Sequence, residues 1–336
     1  MANELLSKLL SEYEQRKITA ELDLEKRKNQ LYEKIPRLQE IEEELNNFAI
    51  NTAKDILNGK QYSIDDLNQK VNLLKLEKSQ ILKDNNISED FLQPNYSCKI
   101  CKDTGYIKSI NNGSTLCPCI KQKLLDFSYN KSNITNLDKE NFDKFNINIF
   151  SDKAEPEIYK INISPRQNML SIKQKCIEFV QEFDNPNYHN LLFTGNTGLG
   201  KTFMSNCIAN ELIKNGKNVL YQTAPVLLET VIDNKLNKYK STSQDDFYKN
   251  VLESDLLIID DLGTECLNSM KLSELFTILN TRLLNLNNKI TKTIISTNLD
   301  INNIFKNYEE RIGSRIVGYY DIYYFFGNDL RFRKKQ

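Results

Sequence analysis

The sequence predicts an α/β domain built on a parallel sheet, preceded by an α-helical region and a short cysteine-bearing segment. Three observations predict it. From about residue 166 onward, continuous apolar runs alternate with helical patterns, the signature of a parallel sheet covered on both faces. Residues 1–93 are rich in Glu, Lys, Leu, Asn and Gln, almost free of Gly and Pro, with apolar positions at helical spacing. Residues 94–121 then gather four of the seven cysteines into one short run.

Composition sets the outer limits. The chain has 336 residues, enough for two domains and their connections, and 40% apolar with 27% charged residues fits globular protein. Lys and Arg balance Asp and Glu at 45 each, which excludes a chain dominated by nucleic-acid-binding charge. The charge is uneven, since residues 331–336 carry four basic side chains; a contact with an acidic partner and a solvated terminus explain that tail equally. No run approaches the ~18 apolar residues of a membrane span, and MANELLSKLLSEYEQRK lacks the apolar core of a signal peptide. A cytoplasmic protein is expected, with cysteines present as thiols or metal ligands.

Within residues 1–93, Leu24, Leu31, Leu38 and Leu45 recur every seven residues, with Ile35 between them. Ile64, Leu67, Val71 and Leu74 form a second stripe. A break at Asn58-Gly59 and a capping signal, Ser63-x-x-Asp66, separate two helices, and Pro36 divides or kinks the first. An antiparallel helical hairpin or short bundle follows, whose apolar face either packs on itself or docks a partner. Residues 122–165 read as a connection. The domain at 166–336 is expected to hold a helix at 166–184, then strands at 191–193, 218–222, 256–259 and 293–296. Helices open at Lys201 and run over 270–285.

Four motifs carry chemistry, in chain order. Gly195-Asn196-Thr197-Gly198-Leu199-Gly200-Lys201-Thr202 fits G-x-x-x-x-G-K-[ST] between a strand and a helix. Glycines let backbone N–H groups wrap phosphate oxygens at a helix N-terminus, Lys201 reaches the β and γ phosphates, and the Thr202 hydroxyl ligates Mg²⁺. ATP with Mg²⁺ is therefore the expected cofactor. In Asp255-Leu256-Leu257-Ile258-Ile259-Asp260-Asp261 a buried strand delivers two carboxylates to the end where open α/β sheets bind ligands. Asp260 is expected to hold the Mg²⁺ shell and Asp261 to orient or polarise water. Ile294-Ile295-Ser296-Thr297-Asn298 places an amide where it could contact the γ-phosphate or water. Glu310-Arg311-Ile312-Gly313-Ser314-Arg315 offers an arginine finger, supplied to a neighbouring subunit. A surface salt bridge to Glu309 or Glu310 is the alternative for either arginine.

Cys98-x-x-Cys101 and Cys117-x-Cys119, separated by 15 residues, fit a tetrahedral structural Zn²⁺ site of four thiolates. The second pair is C-x-C and departs from the commoner C-x-x-C. Cys176, Cys207 and Cys266 read as core or incidental residues, and His189 as structural.

GNTGLGKT, LLIIDDLGTE, IISTN and ERIGSRIVG, in this order and spacing, resemble the AAA+ P-loop ATPases, and more narrowly the bacterial replicative helicase loaders of the DnaC/DnaI type, with the IstB-type ATP-binding proteins close to them. The resemblance covers roughly residues 140–331. It implies the sensor I position for Asn298 and favours Arg315 over Arg311 as the finger. It also implies a core without the full helical lid of most AAA+ proteins, with Arg331 the candidate for the second sensor. From the same resemblance follow a hexameric replicative helicase and single-stranded DNA as partners, and a homo-oligomer with ATP at subunit interfaces; Asp261, one methylene shorter than the Glu common in AAA+ enzymes, implies slow ATP hydrolysis stimulated by DNA or the partner. A zinc-bearing N-terminal region that engages the helicase follows too. Lys235, Lys238, Tyr239 and Lys240 lie where the family inserts DNA-binding helices; cations beside an aromatic suit a phosphate backbone and a stacked base, and a solvated helix face explains them as well.

Overall fold

The computed structural model describes residues 2–57, 64–108, 113–127, 139–236, 242–284 and 289–335. They divide into two compact units, 3–117 and 118–336. Among the described residues, no helix is long and apolar enough to cross a membrane.

The first unit opens with α1 (Ala2–Lys34), α2 (Pro36–Leu57) and α3 (Ile64–Asp84). Pro36 divides the first two because its ring lacks the N–H an interior position needs, whereas the first helical position does not need one. Leu31 and Leu38 of the seven-residue repeat are buried with Leu82, and Leu24 and Leu45 are half-buried. Leu38 meets Leu82 while Glu42 accepts from Lys78 at 2.7 Å, so α2 and α3 run antiparallel. Lys28 reaches the same Glu42 at 3.0 Å. Asn58-Gly59 and Ser63 lie outside the described residues. Beyond the helices, β1 (Tyr106–Lys108) and β2 (Ser114–Leu116) pair as a short antiparallel hairpin.

The second unit starts with α4 (Pro118–Leu125) and continues through tight turns at 142–144 and 147–149 to α5 (Pro156–Tyr159). Next come α6 (Pro165–Gln181), β3 (Asn190–Thr194), α7 (Lys201–Lys214), β4 (Val219–Thr223) and α8 (Ala224–Leu236). Then follow α9 (Thr242–Glu253), β5 (Leu256–Leu262), α10 (Ser269–Leu283), β6 (Lys292–Thr297), α11 (Ile301–Tyr319) and β7 (Tyr320–Tyr324). Ser164 and Gln167 form a capping box and Pro165 opens α6, which fixes that helix start locally.

All pairings in the sheet are parallel, in the order β4-β5-β6-β3-β7. Alternate residues of each strand feed opposite faces. Leu191, Phe193, Ile258 and Ile294 pack with Met169, Phe179, Met204 and Ile208 on one side. Leu192, Ile259 and Ile295 pack with Leu275, Ile278, Ile304 and Ile316 on the other.

The stretch 122–165, read above as a connection, contributes to this core. Phe150 is buried in it, and Phe142, Phe145 and Ile147 pack against it. At the sheet edge, Gln122 of α4 accepts from the Val219 N–H at 2.7 Å and donates to the Val219 carbonyl at 3.0 Å, covering an edge that would otherwise pair with another chain. Phe150→Ala should destabilise the second unit by about 3 kcal/mol, because truncating a buried ring leaves a cavity. Urea denaturation checks this, with a loss below about 1 kcal/mol counting against membership in the core.

Candidate nucleotide site

The strand order brings the predicted motifs to one end of the sheet. β3 leads into the 195–200 loop and α7, while β6, ending before Asn298, lies between β3 and the Asp-bearing β5. Gly195, Gly198 and Gly200 have φ of 135°, 73° and 95°, a region open to glycine and strained for other residues. A side chain at Gly195 would strike the Phe325 carbonyl, and one at Gly198 the Asp329 carboxylate. The segment after β7 thus braces the loop, with Leu330 N–H donating to the Gly198 carbonyl at 2.9 Å.

Lys201 is buried, and its ammonium donates to the Gly195 carbonyl at 2.5 Å, the Asn196 carbonyl at 2.7 Å and Asn298 Oδ1 at 2.8 Å. Burial lowers its pKa to about 8 against the upward pull of Asp261 and Asp260. Asp260 is also buried. Its Oδ2 accepts from Thr202 Oγ1 at 3.1 Å and from the Tyr221 hydroxyl, and its Oδ1 from the Ser296 hydroxyl and the Asp261 N–H, the last at 3.0 Å. Asp261 is exposed, with a left-handed φ of 56° that lifts its side chain out of the strand pattern. Partial loss of water around the carboxylate, and then the neighbouring Asp260 charge, raise its pKa. Lys201, Thr202, Asp260 and Asn298 therefore form one connected set that could hold a polyphosphate and a divalent cation.

The two arginines stand apart from this set, on α11. Arg311 pairs with Glu309 at 2.8 Å and lies over the Phe276 ring at 4.7 Å. Arg315 donates to Asn280 Oδ1 at 3.1 Å. Arg331 pairs with Asp329 at 2.7 Å beside the loop. Lys235 pairs with Glu274 at 2.6 Å and lies over Tyr248, so its charge is already engaged; Lys238, Tyr239 and Lys240 lie outside the described residues. His189 bonds Asp321 at 2.9 Å at the sheet edge.

Sequence reasoning missed Tyr221 and Ser296, the hydroxyls that share Asp260. Ser296 stood inside a motif read only for its asparagine, whereas Tyr221 looked like one more apolar strand residue. Glu265, which closes the LLIIDDLGTE run, had no role in that reading; it accepts from the Gly263 N–H at 2.9 Å.

The sulfur atoms of Cys98, Cys101, Cys117 and Cys119 all lie within 4.8 Å of one another, with Cys98 and Cys117 at 3.9 Å. A tetrahedral ion with metal–sulfur bonds of about 2.3 Å needs sulfurs about 3.8 Å apart, so the four thiols could hold one. Asp103 steadies the first pair by accepting from the Ser97 and Cys98 N–H groups at 2.7 and 2.8 Å.

A phosphate loop on a central strand, an Asp pair at the end of β5 and an asparagine on the strand between them define a P-loop nucleotide-binding core. Residues 165–312 match the family described as IstB-like ATP binding protein. The replicative helicase loader DnaC of Buchnera aphidicola subsp. Baizongia pistaciae is 33% identical over 88 residues, 26% of this chain and 35% of that protein. The chromosomal replication initiator protein DnaA of Buchnera aphidicola subsp. Cinara cedri is 39% identical over 110 residues, 32% of this chain and 24% of that protein. A crystal structure of the DnaC helicase loader is similar at TM-score 0.43 and 21% identity, covering 57% of this chain and 99% of that one. The chain thus spans about a third and a quarter of the lengths of these two curated relatives. Over residues 165–312 the chain is similar to the IstB-like ATP-binding proteins, and over a shorter stretch to a replicative helicase loader of the DnaC type.

Only a protonated Lys201 attracts phosphate. ATP affinity should therefore fall about eightfold between pH 7.5 and pH 9, as the ammonium with a pKa near 8 loses its proton. Lys201→Ala should bind weakly and without that dependence; calorimetric titration reads both, and a flat wild-type profile contradicts the assignment.

Proposed function

We propose that this chain is an ATP-switched loader of a hexameric replicative DNA helicase, acting in a homo-oligomer with ATP at subunit interfaces and touching single-stranded DNA. The observation that carries the reading is the convergence of Lys201, Thr202, Asp260 and Asn298 in a chain whose helical hairpin and four-cysteine segment form further, non-catalytic parts. Lys201 exchanges its carbonyl acceptors for β and γ phosphate oxygens. Thr202 and Asp260, bonded to each other here, would hold Mg²⁺, which would supply charge neutralisation of the phosphates. Asp261 orients the attacking water, and Asn298 holds the γ-phosphate or that water. Arg315, with Arg311 as the second choice, reaches from a neighbouring copy to stabilise charge on the transferring group.

Asp261 is one methylene shorter than the Glu common at this position, so water must sit closer; slow turnover, stimulated by DNA or the helicase, follows. Asp261→Asn should lower kcat by about 100-fold while ATP still binds, because it removes the carboxylate that orients and polarises the water and leaves the phosphate contacts.

Cys98, Cys101, Cys117 and Cys119 hold Zn²⁺ in a closed site that staples a segment too short to bury its own core. About one equivalent of zinc per chain is expected, falling on Cys117→Ser with a lower melting temperature for the first unit. Metal analysis and calorimetry check this; a zinc-free wild type that melts identically contradicts it.

The deciding experiment is capture of the host's replicative helicase by wild type and Lys201→Ala, with and without ATP. Capture that responds to ATP only in the wild type supports a nucleotide-switched loader, and no capture under any condition overturns it. The match to the IstB-like family favours a second reading, an accessory ATPase of a transposition system. A transposase gene beside this one, with no helicase capture, would establish that alternative.

A further inference from the structure

Glu265 and Tyr308 have no part in the chemistry above, yet both are buried and bonded to each other. Glu265 Oε1 accepts the Tyr308 hydroxyl, and Oε2 accepts the Gly263 N–H at 2.9 Å. Gly263 makes the turn directly after the Asp pair with φ 106°, and a Cβ there would press on Leu299 at 2.8 Å. Leu299 follows Asn298, and its carbonyl accepts from Thr194 Oγ1 at 2.6 Å, at the end of the strand that leads to the phosphate loop. One carboxylate thus fixes the backbone where the Asp pair, the asparagine and the loop come together.

Its other oxygen fixes a bend. Tyr308 (φ −111°, ψ 15°) and Glu309 (φ 65°, ψ 153°) break α11 into two helical halves. Glu309 occupies a backbone region that belongs almost entirely to glycine, and such strain persists only where surrounding contacts over-determine it. The buried Tyr308 ring and its bond to Glu265 are those contacts. Burial first, then Glu265, hold the Tyr308 phenol well above its usual pKa, so it stays a donor. Directly beyond the bend, Glu309 pairs with Arg311, and Arg315 follows one turn later.

We propose that Glu265 and Tyr308 are positioning residues that lock the strand end bearing Asp260 and Asp261 to the bend that aims Arg311 and Arg315. Through them the nucleotide state of one copy sets the reach of its arginines toward the next. This rests on the reading of the chain as an AAA+ ATPase.

The test uses the full chain as wild type, Tyr308→Phe, Glu265→Gln and the double variant. Three quantities are read: Kd for a fluorescent ATP analogue, kcat for ATP hydrolysis, and melting temperature. Each single change should lower kcat about tenfold by removing one hydrogen bond to a buried charge, with the Kd held within about twofold. Because the two act as one link, the double variant should be no slower than the worse single. Wild-type kcat in both singles, additive losses in the double, or kcat losses matched by losses of ATP binding and melting temperature would each overturn the proposal. A wild type that binds no ATP would instead overturn the underlying assignment, and this proposal with it.

Discussion

The buried carboxylate of Asp260 is the constraint around which the second unit is arranged. A charge inside a protein must be hydrogen-bonded to be tolerated. Besides the Asp261 N–H on its own strand, the side-chain donors come from three other elements: Thr202 from α7, Tyr221 from β4 and Ser296 from β6. That is possible only because β5 sits between β4 and β6, which sets Tyr221 and Ser296 on either side of it. The strand order therefore specifies a chemical environment as well as a shape. The same order threads β6 between the phosphate loop and the Asp pair, so that Asn298 meets Lys201 at 2.8 Å.

Lys201 answers the same constraint from the other side. Its ammonium is satisfied by two loop carbonyls and one amide oxygen, neutral groups that a phosphate would displace without leaving a buried anion behind. Its depressed pKa records what burial costs that charge, and a phosphate would restore it.

Much of this was legible in the sequence because the relevant signals are local. Strands buried on both faces read as unbroken apolar runs, and the phosphate loop is contiguous, since its glycines are demanded by a backbone that passes close to Phe325 and Asp329. The heptad leucines and the division at Pro36 were equally local. What was not legible depends on pairing across the chain. Tyr221 is an ordinary strand residue until β4 lands beside β5. The role of Phe150 needs the turn at 147–149 to fold over α6, and Asn/Asp/Lys-rich flanks hid that aromatic run inside an apparent connection. The bend at Tyr308–Glu309 has no glycine or proline to announce it, because tertiary contacts impose it. Arginines expected to work between subunits find their partners here within their own chain, Arg311 at Glu309 and Arg315 at Asn280, as a single copy must show.

The most direct measurement is ATP binding by the wild type and by Asp260→Asn, each with Mg²⁺ and with a chelator. If Asp260 organises the metal side of the site, Mg²⁺ will tighten binding to the wild type, and the Asn variant will bind with a single, metal-independent affinity. An Asn variant that keeps the full wild-type response to Mg²⁺ would contradict the central claim.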